Sequence, residues 1–298
     1  MTNPAYGVAI QATPEVRCVL APNPGPMTHT GTNSYIVGHG RVAIVDPGPA
    51  LDTHIEALLA ATQSETITHI LVSHAHLDHS PAAAILADKT GAEIFGFGEA
   101  HEGRSQTMQR LAAEGFAGGG EGVDTSFQPH AKLADGDVIS GHDWELEVLH
   151  TPGHFAGHLA FGIGKTLISG DHVMEMSSTL VSPPDGDVAD FMKTCDRLLN
   201  SEFDTYLPGH GNRINDPAGR LEWLMQHRRS REQSILQALS DKPVSLAALT
   251  QQVYADVSPN LWPAAERNLF AHLIDFVDRG QAKAAPLLSP DAKFSRLS

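Results

Sequence analysis

Three imidazoles and a carboxylate fall within six consecutive positions, His74-Ala75-His76-Leu77-Asp78-His79, directly after an apolar, β-branched run. Buried this densely, such groups would repel one another or lack partners unless a cation gathered them. The alternative is a histidine-rich surface loop drawn from the 17 histidines of the chain, and the placement of the cluster argues against it. Ile67 to Ser73 reads as a buried strand, and Pro81 to Ala87 as a helix opening behind it. The cluster then sits at the C-terminal end of a strand, where α/β proteins gather ligands. Ser80 is expected as the N-cap of that helix, with Pro81 at its first position.

Three later stretches repeat the arrangement. His150-Thr151-Pro152-Gly153-His154 follows the alternating strand Trp144 to Leu149. Thr166-Leu167-Ile168-Ser169-Gly170-Asp171 ends a strand in an aspartate, and Thr205-Tyr206-Leu207-Pro208-Gly209-His210-Gly211 ends another in a histidine between glycines. Each stretch is weak alone. Together they put metal-ligand residues at four strand ends.

The order HxHxDH, PGH, GD, PGHG resembles the metallo-β-lactamase superfamily over roughly residues 30 to 215. Val42-Ala43-Ile44-Val45-Asp46-Pro47-Gly48 matches that superfamily's strand ending in an aspartate that supports the ligands from behind. Pro22 to Thr28, Gly31 to Tyr35, Pro183 to Asp187 and the region after Gly211 resemble the β-lactamase-like protein 2 family, which carries a small winged-helix domain behind its hydrolase domain. The resemblance implies an α/β, four-layer αββα metallo-β-lactamase fold over residues 1–217 and a small winged-helix-like helical domain over 218–298. It implies that His74, His76 and His154 hold one metal, that Asp78, His79 and His210 hold another, and that Asp171 bridges them. Asp78 is then also the catalytic group that passes a proton to the leaving group. His158 either supports the site through a hydrogen bond or is a satisfied core histidine, and His172 is expected to pack.

Two divalent cations roughly 3.5–4 Å apart lower the pKa of a shared water towards 7, so a metal-bridging hydroxide would be the nucleophile. An all-nitrogen-and-oxygen donor set suits Zn2+ by default, and Mn2+ or Fe2+ as well. The expected reaction is metal-dependent hydrolysis of a small-molecule ester, thioester or lactone. The alternative is endonucleolytic cleavage of single-stranded RNA, since the family includes ribonucleases. β-Lactam hydrolysis and a non-catalytic metal-binding scaffold rank below both.

Charge bears on that choice. Residues 220–298 hold ten Lys or Arg against eight Asp or Glu; subtraction from the totals of 20 and 35 leaves ten against 27 upstream, or about +2 behind and −17 in front. An acidic front disfavours long polyanions. The densest basic run, Arg228-Arg229-Ser230-Arg231, lies in a long helical stretch and is expected to pack or solvate a helix, which makes DNA binding a poor expectation. Hydrophobic content of 41% with 18% charged residues is globular. No apolar stretch suits a bilayer, and the N-terminus lacks a basic segment before an apolar one, so no membrane association and a cytoplasmic location are expected. Cys18 and Cys195 are too few for a disulfide framework and are expected as inert buried thiols.

Along the chain, short β-type runs open an antiparallel sheet, and a helix is expected from Asp52 to Thr62. Residues 97–130 have little periodicity, with Gly118-Gly119-Gly120 inside and His101 and His130 near the ends; the stretch is expected as a loop shaping the substrate entrance, with both histidines exposed. Lys132 to Ile139 reads as two strands around a tight turn. Asp187 to Asn200 reads as an amphipathic helix. Helices at Ala218–Leu239, Ser245–Tyr254 and Pro263–Arg279, the latter two separated by Pro259 and Pro263, precede a break at Gly280 and a short tail.

Overall fold

The structure is a computed structural model that describes residues 5–116, 122–258 and 261–297. Gly118-Gly119-Gly120 and Pro259 lie outside the described residues.

The first sheet runs β1 (Ala9–Thr13), β2 (Val16–Leu20), β3 (Asn33–Val37), β4 (Arg41–Val45), β5 (Thr66–Leu71), β6 (Glu93–Gly96) and β7 (Ala131–Lys132), side by side in that order. It is antiparallel up to β4 and parallel from β4 onward. Helices α1 (Asp52–Ala61) and α2 (Ala82–Thr90) are the crossovers that parallel pairing requires. The second sheet holds β8 (Val138–Ser140), β9 (Glu145–His150), β10 (Leu159–Ile163), β11 (Thr166–Gly170) and β12 (Thr205–Pro208), in the order β12-β11-β10-β9-β8. Within it, β11 and β12 are parallel.

The central strands of both sheets are buried on two faces, and the period of two divides their side chains between separate cores. Val42 and Ile44 of β4 meet Ile55 and Leu58 of α1 and Leu86 of α2. Ala43 and Val45 of the same strand face inward to Val148, Phe161 and Ile168 of the second sheet. On the far side, Leu149, Ala160 and Leu167 pack on Phe191, Cys195 and Leu198 of α4 (Val188–Leu199) and on Leu221 and Leu224 of α5 (Pro217–Ala238). Helix, sheet, sheet and helix form the four expected layers.

Three local expectations are corrected. Ser80 does not cap α2: Pro81 holds the N-cap position, and the Ser80 hydroxyl donates to Asp124 Oδ2 at 2.7 Å and the His76 carbonyl at 3.2 Å. The strands around Lys132 to Ile139 are not partners, because β7 pairs with β6 while β8 pairs with β9; the turn between them crosses from one sheet to the other. Residues 97–130 are not all loop. They contain α3 (Gln106–Ala113), capped by Ser105, whose Met108 and Leu111 are buried in the core of the C-terminal unit.

That unit comprises the second half of α5, β13 (Val244–Ser245), α6 (Leu246–Val253), α7 (Trp262–Asp278), β14 (Ala282–Ala285) and β15 (Lys293–Arg296), with the strands in the order β13-β15-β14. The expected short tail is therefore a hairpin closing a small sheet, and Phe294 of β15 is buried against Phe270 of α7. α5 spans both bodies: Leu221, Leu224 and Met225 sit in the outer helix layer, while Ile235 sits in the C-terminal core.

Candidate metal centre

The C-terminal ends of β4, β5, β9, β11 and β12 meet at one edge of the sandwich. Two links fasten the sheets there: Leu159 N donates to Ser73 O at 2.7 Å, and Asn33 N to Gly209 O at 2.8 Å. This edge collects Asp46, the 74–79 cluster, His154, Asp171 and His210.

Three groups there have one ligand atom from each residue within 4.8 Å of the others: His74, His76 and His154; Asp78, His79 and His210; and His74, His79 and Asp171. The first two are the triads inferred from the sequence. Asp171 lies between them, with Oδ2 3.2 Å from His210 Nε2 and 3.8 Å from His154 Nε2, and Oδ1 3.6 Å from His79 Nε2.

Four of the clustered imidazoles are each held by the nitrogen that faces away from the centre, the arrangement that orients metal-binding histidines. His79 Nδ1 donates to Asp46 Oδ2 at 3.0 Å, His154 Nδ1 to the Leu180 carbonyl at 2.7 Å, and His210 Nδ1 to the Gly31 carbonyl at 3.0 Å. His74 Nδ1 lies 2.9 Å from the Ser73 hydroxyl. Asp46, at φ +50°, is fixed in turn by the Ser73 amide and hydroxyl, each at 2.7 Å. These bonds place Asp46, expected as a support, between His79 and Ser73. His158 lies behind Asp171: its Nε2 accepts the Asp171 amide at 3.2 Å and its Nδ1 meets the Thr151 hydroxyl at 2.7 Å. His172 packs, 4.6 Å from the Phe191 ring. Exposed His101 and His130 engage Arg104 and the Ile94 amide.

The donor set fits divalent cations. Burial and the neighbouring rings hold His74 well below the ordinary histidine range, and burial drives His76 down to about 3 and lowers His154. Three neutral rings therefore converge, His74 Nε2 2.8 Å and His154 Nε2 3.3 Å from His76 Nδ1. Because Nδ1 of His154 carries the proton given to Leu180, its Nε2 presents a lone pair inward. In the second triad burial opposes charge on His79, but Asp78, Asp171 and Asp46 hold it well above its usual range; His210, likewise opposed by burial, is raised to about 10 by Asp171 and Asp78. Asp78 and Asp171 are correspondingly held ionised against the burial that disfavours their charge. A cation displacing the histidine protons would meet two carboxylates already ionised. His79 Nε2 and Asp171 Oδ1 are buried with no hydrogen-bond partner, the state expected of ligand atoms.

Some supporting residues, in the stretches 22–28 and 31–35 that carry the resemblance, were not expected at the site. Thr32 Oγ1 donates to Asp78 Oδ2 at 3.3 Å and accepts from Asn23 at 2.9 Å. Asn33 binds the carbonyls of Pro208 and Gly211, each at 3.0 Å, and shapes the loop that presents His210. The thiols stand apart: burial pushes both Cys18 and Cys195 up to about 12, so neither is a nucleophile at neutral pH.

Among known proteins, the chain is 29% identical over 296 residues to the β-lactamase-like protein 2 homolog of Drosophila melanogaster, covering 95% of this chain and 94% of that protein. It is 25% identical over 257 residues to an atrochrysone carboxyl ACP thioesterase of Claviceps purpurea (strain 20.1), covering 83% of this chain and 74% of that one. A β-lactamase domain protein from Burkholderia ambifaria shares the fold, with a TM-score of 0.79 at 21% identity over 99% of this chain and 95% of that chain. A β-lactamase-associated winged helix domain matches residues 245–286. Residues 27–210 match the metallo-β-lactamase superfamily, and the chain belongs to it.

Proposed function

We propose that the protein is a hydrolase that holds two divalent metal ions, zinc by default, and cleaves a small ester, thioester or lactone. In this account the hydrolase body is residues 1–217, the C-terminal unit is 218–298, and one ion is held by His74, His76 and His154, the other by Asp78, His79 and His210, with Asp171 between. The observation that carries it is the convergence of two triads of opposite character, one of three neutral rings and one of an ionised carboxylate with two histidines, on Asp171 between them. When bound, such ions supply Lewis acidity and a water acidified towards neutral pH.

The chain's own residues do the rest. Asp46 and the carbonyls of Leu180 and Gly31 keep the histidine lone pairs aimed at the centre, which pre-organises it before substrate arrives. Asp78, with a side chain 24% exposed against 8% for Asp171, is the ligand that reaches solvent and substrate. Its carboxylate, steadied by Thr32, takes up a proton and delivers it to the leaving oxygen or sulfur.

The substrate class is supported by the thioesterase among the relatives and by the acidic front body. The basic run does not favour the RNA alternative: the Arg228 guanidinium is buried, and Arg231 donates to the Val253 carbonyl and lies 4.2 Å from the Tyr254 ring. A panel of thioesters, lactones, β-lactams and single-stranded RNA, given to the metal-loaded enzyme, tests the assignment. Turnover of a thioester or lactone that is lost in Asp78→Asn is expected; cleavage of RNA alone would overturn the substrate class.

A further inference from the structure

The segment after Asp171 brings a backbone carbonyl to the outward-facing nitrogen of His154, and the groups that hold this segment lie on the C-terminal unit. The Leu180 carbonyl accepts the His154 Nδ1 proton at 2.7 Å. The residue before it, Thr179, is β-branched yet has φ +52°, a left-handed conformation that persists only when the surroundings enforce it.

The enforcing groups lie on α5 and α7. Arg228 Nη2 donates to the Ser178 carbonyl at 2.8 Å and also to the Thr179 carbonyl, while its Nη1 donates to Asn268 Oδ1 at 2.9 Å. The same Asn268 oxygen accepts the Val181 amide at 3.1 Å. The residues on both sides of Leu180 are thus tied to the C-terminal unit, and Leu180 itself to His154. About two helical turns before Arg228, Arg220 extends the grip by donating to the Met174 carbonyl at 2.7 Å and to that of Ser177. The Arg228 guanidinium lies 4.9 Å over the Phe191 ring, so α4 closes the clamp from the other side. Its planar fork serves three acceptors at once, which a lysine cannot reproduce.

We propose that Arg228 and Asn268 are positioning residues for His154: they hold residues 178–181 so that the Leu180 carbonyl fixes the tautomer and direction of the His154 ring. The winged-helix unit is then part of the scaffold of the metal centre. The proposal rests on the reading of His154 as a ligand.

Zinc titration of the full-length protein against a chromophoric chelator tests it, alongside thermal melts. Asn268→Ala should weaken one of the two zinc affinities about tenfold and leave the other unchanged, in line with the effect of removing a group that orients a ligand. Asn268→Asp keeps an acceptor for both Arg228 and Val181 and should restore wild-type affinity. In the metal-free protein, the His154 Nδ1 proton should be protected from solvent exchange by NMR and lose that protection in Asn268→Ala. If Asn268→Ala does not fold, Arg228→Lys carries the same test with the same expected loss. Lowered melting temperature with both zinc affinities and the His154 signal intact would overturn the clamp. His154→Ala separates this failure from that of the underlying reading: if it still binds both ions tightly, His154 is not a ligand and the clamp has no object.

Discussion

Ligand and supporting residue are distinguished at the centre by which nitrogen or oxygen faces inward, and that distinction predicts opposite effects of substitution. Asp78→Asn keeps the shape but cannot take up a proton, so turnover should fall by about a hundredfold or more, with a melting-temperature change under roughly 3 °C. His158→Ala should do the reverse, because it leaves the Asp171 amide buried without its partner and the Thr151 hydroxyl with only the 3.4 Å bond to the carbonyl of residue 158, at about 1–3 kcal/mol. Turnover and melts on both variants check the pair; an active Asp78→Asn would remove Asp78 from the mechanism. Imidazoles and carboxylates crowded at strand ends announce themselves in a sequence. Two of the four groups that orient the imidazoles are carbonyls, at Gly31 and Leu180, and every residue carries a carbonyl. The basic run is expected to pack or solvate a helix, and Arg228 packs, but its acceptors at Ser178 and Thr179 are again carbonyls that carry no signal in a sequence.

Elements with strong periodicity or clear caps were legible, and those whose apolar faces meet distant parts of the chain were not. The helix expected from Asp187 to Asn200 is α4, and Asp187 caps it, its Oδ1 accepting from the amides of Ala189 and Asp190 at 2.9 and 3.3 Å. α3 escaped because its two buried side chains, Met108 and Leu111, face a core built by residues more than a hundred positions later. Asp187 joins the two helices, as its Oδ2 accepts from Ser105, the α3 cap, at 3.1 Å. Asp187→Ala should therefore cost about 1–2 kcal/mol, while Asp187→Asn should retain most of the capping; chemical denaturation of both variants measures the difference. The loop after β12 is held to a tighter tolerance. A Cβ at Gly209 would lie 2.3 Å from Asp171 Oδ1 and 2.8 Å from His79 Cε1. Gly209→Ala should accordingly lower metal content more than it lowers the melting temperature.

Over the whole molecule, the four layers and the C-terminal unit each bury a neutral histidine away from the centre. Burial lowers His54 to about 4; burial, with Arg228 as the next contributor, lowers His272 to about 3. Both folded values lie below the unfolded value near 6.5, so the unfolded chain binds more protons as pH falls. Their contribution is complete above about pH 6.5 and is lost on acidification towards about 4 for His54 and about 3 for His272, each site steepening the fall by up to about 1.4 kcal/mol per pH unit. His272→Leu, which also removes two unpartnered ring nitrogens, should flatten this acid limb in pH-dependent melts. The central claim concerns the candidate metal centre, where Asp171 lies between two triads, and metal content tests it most directly. Elemental analysis of the purified protein should find about two transition-metal ions per chain, falling to about one in His154→Ala and about one in His210→Ala. A wild-type value of one that His210→Ala leaves unchanged would contradict it.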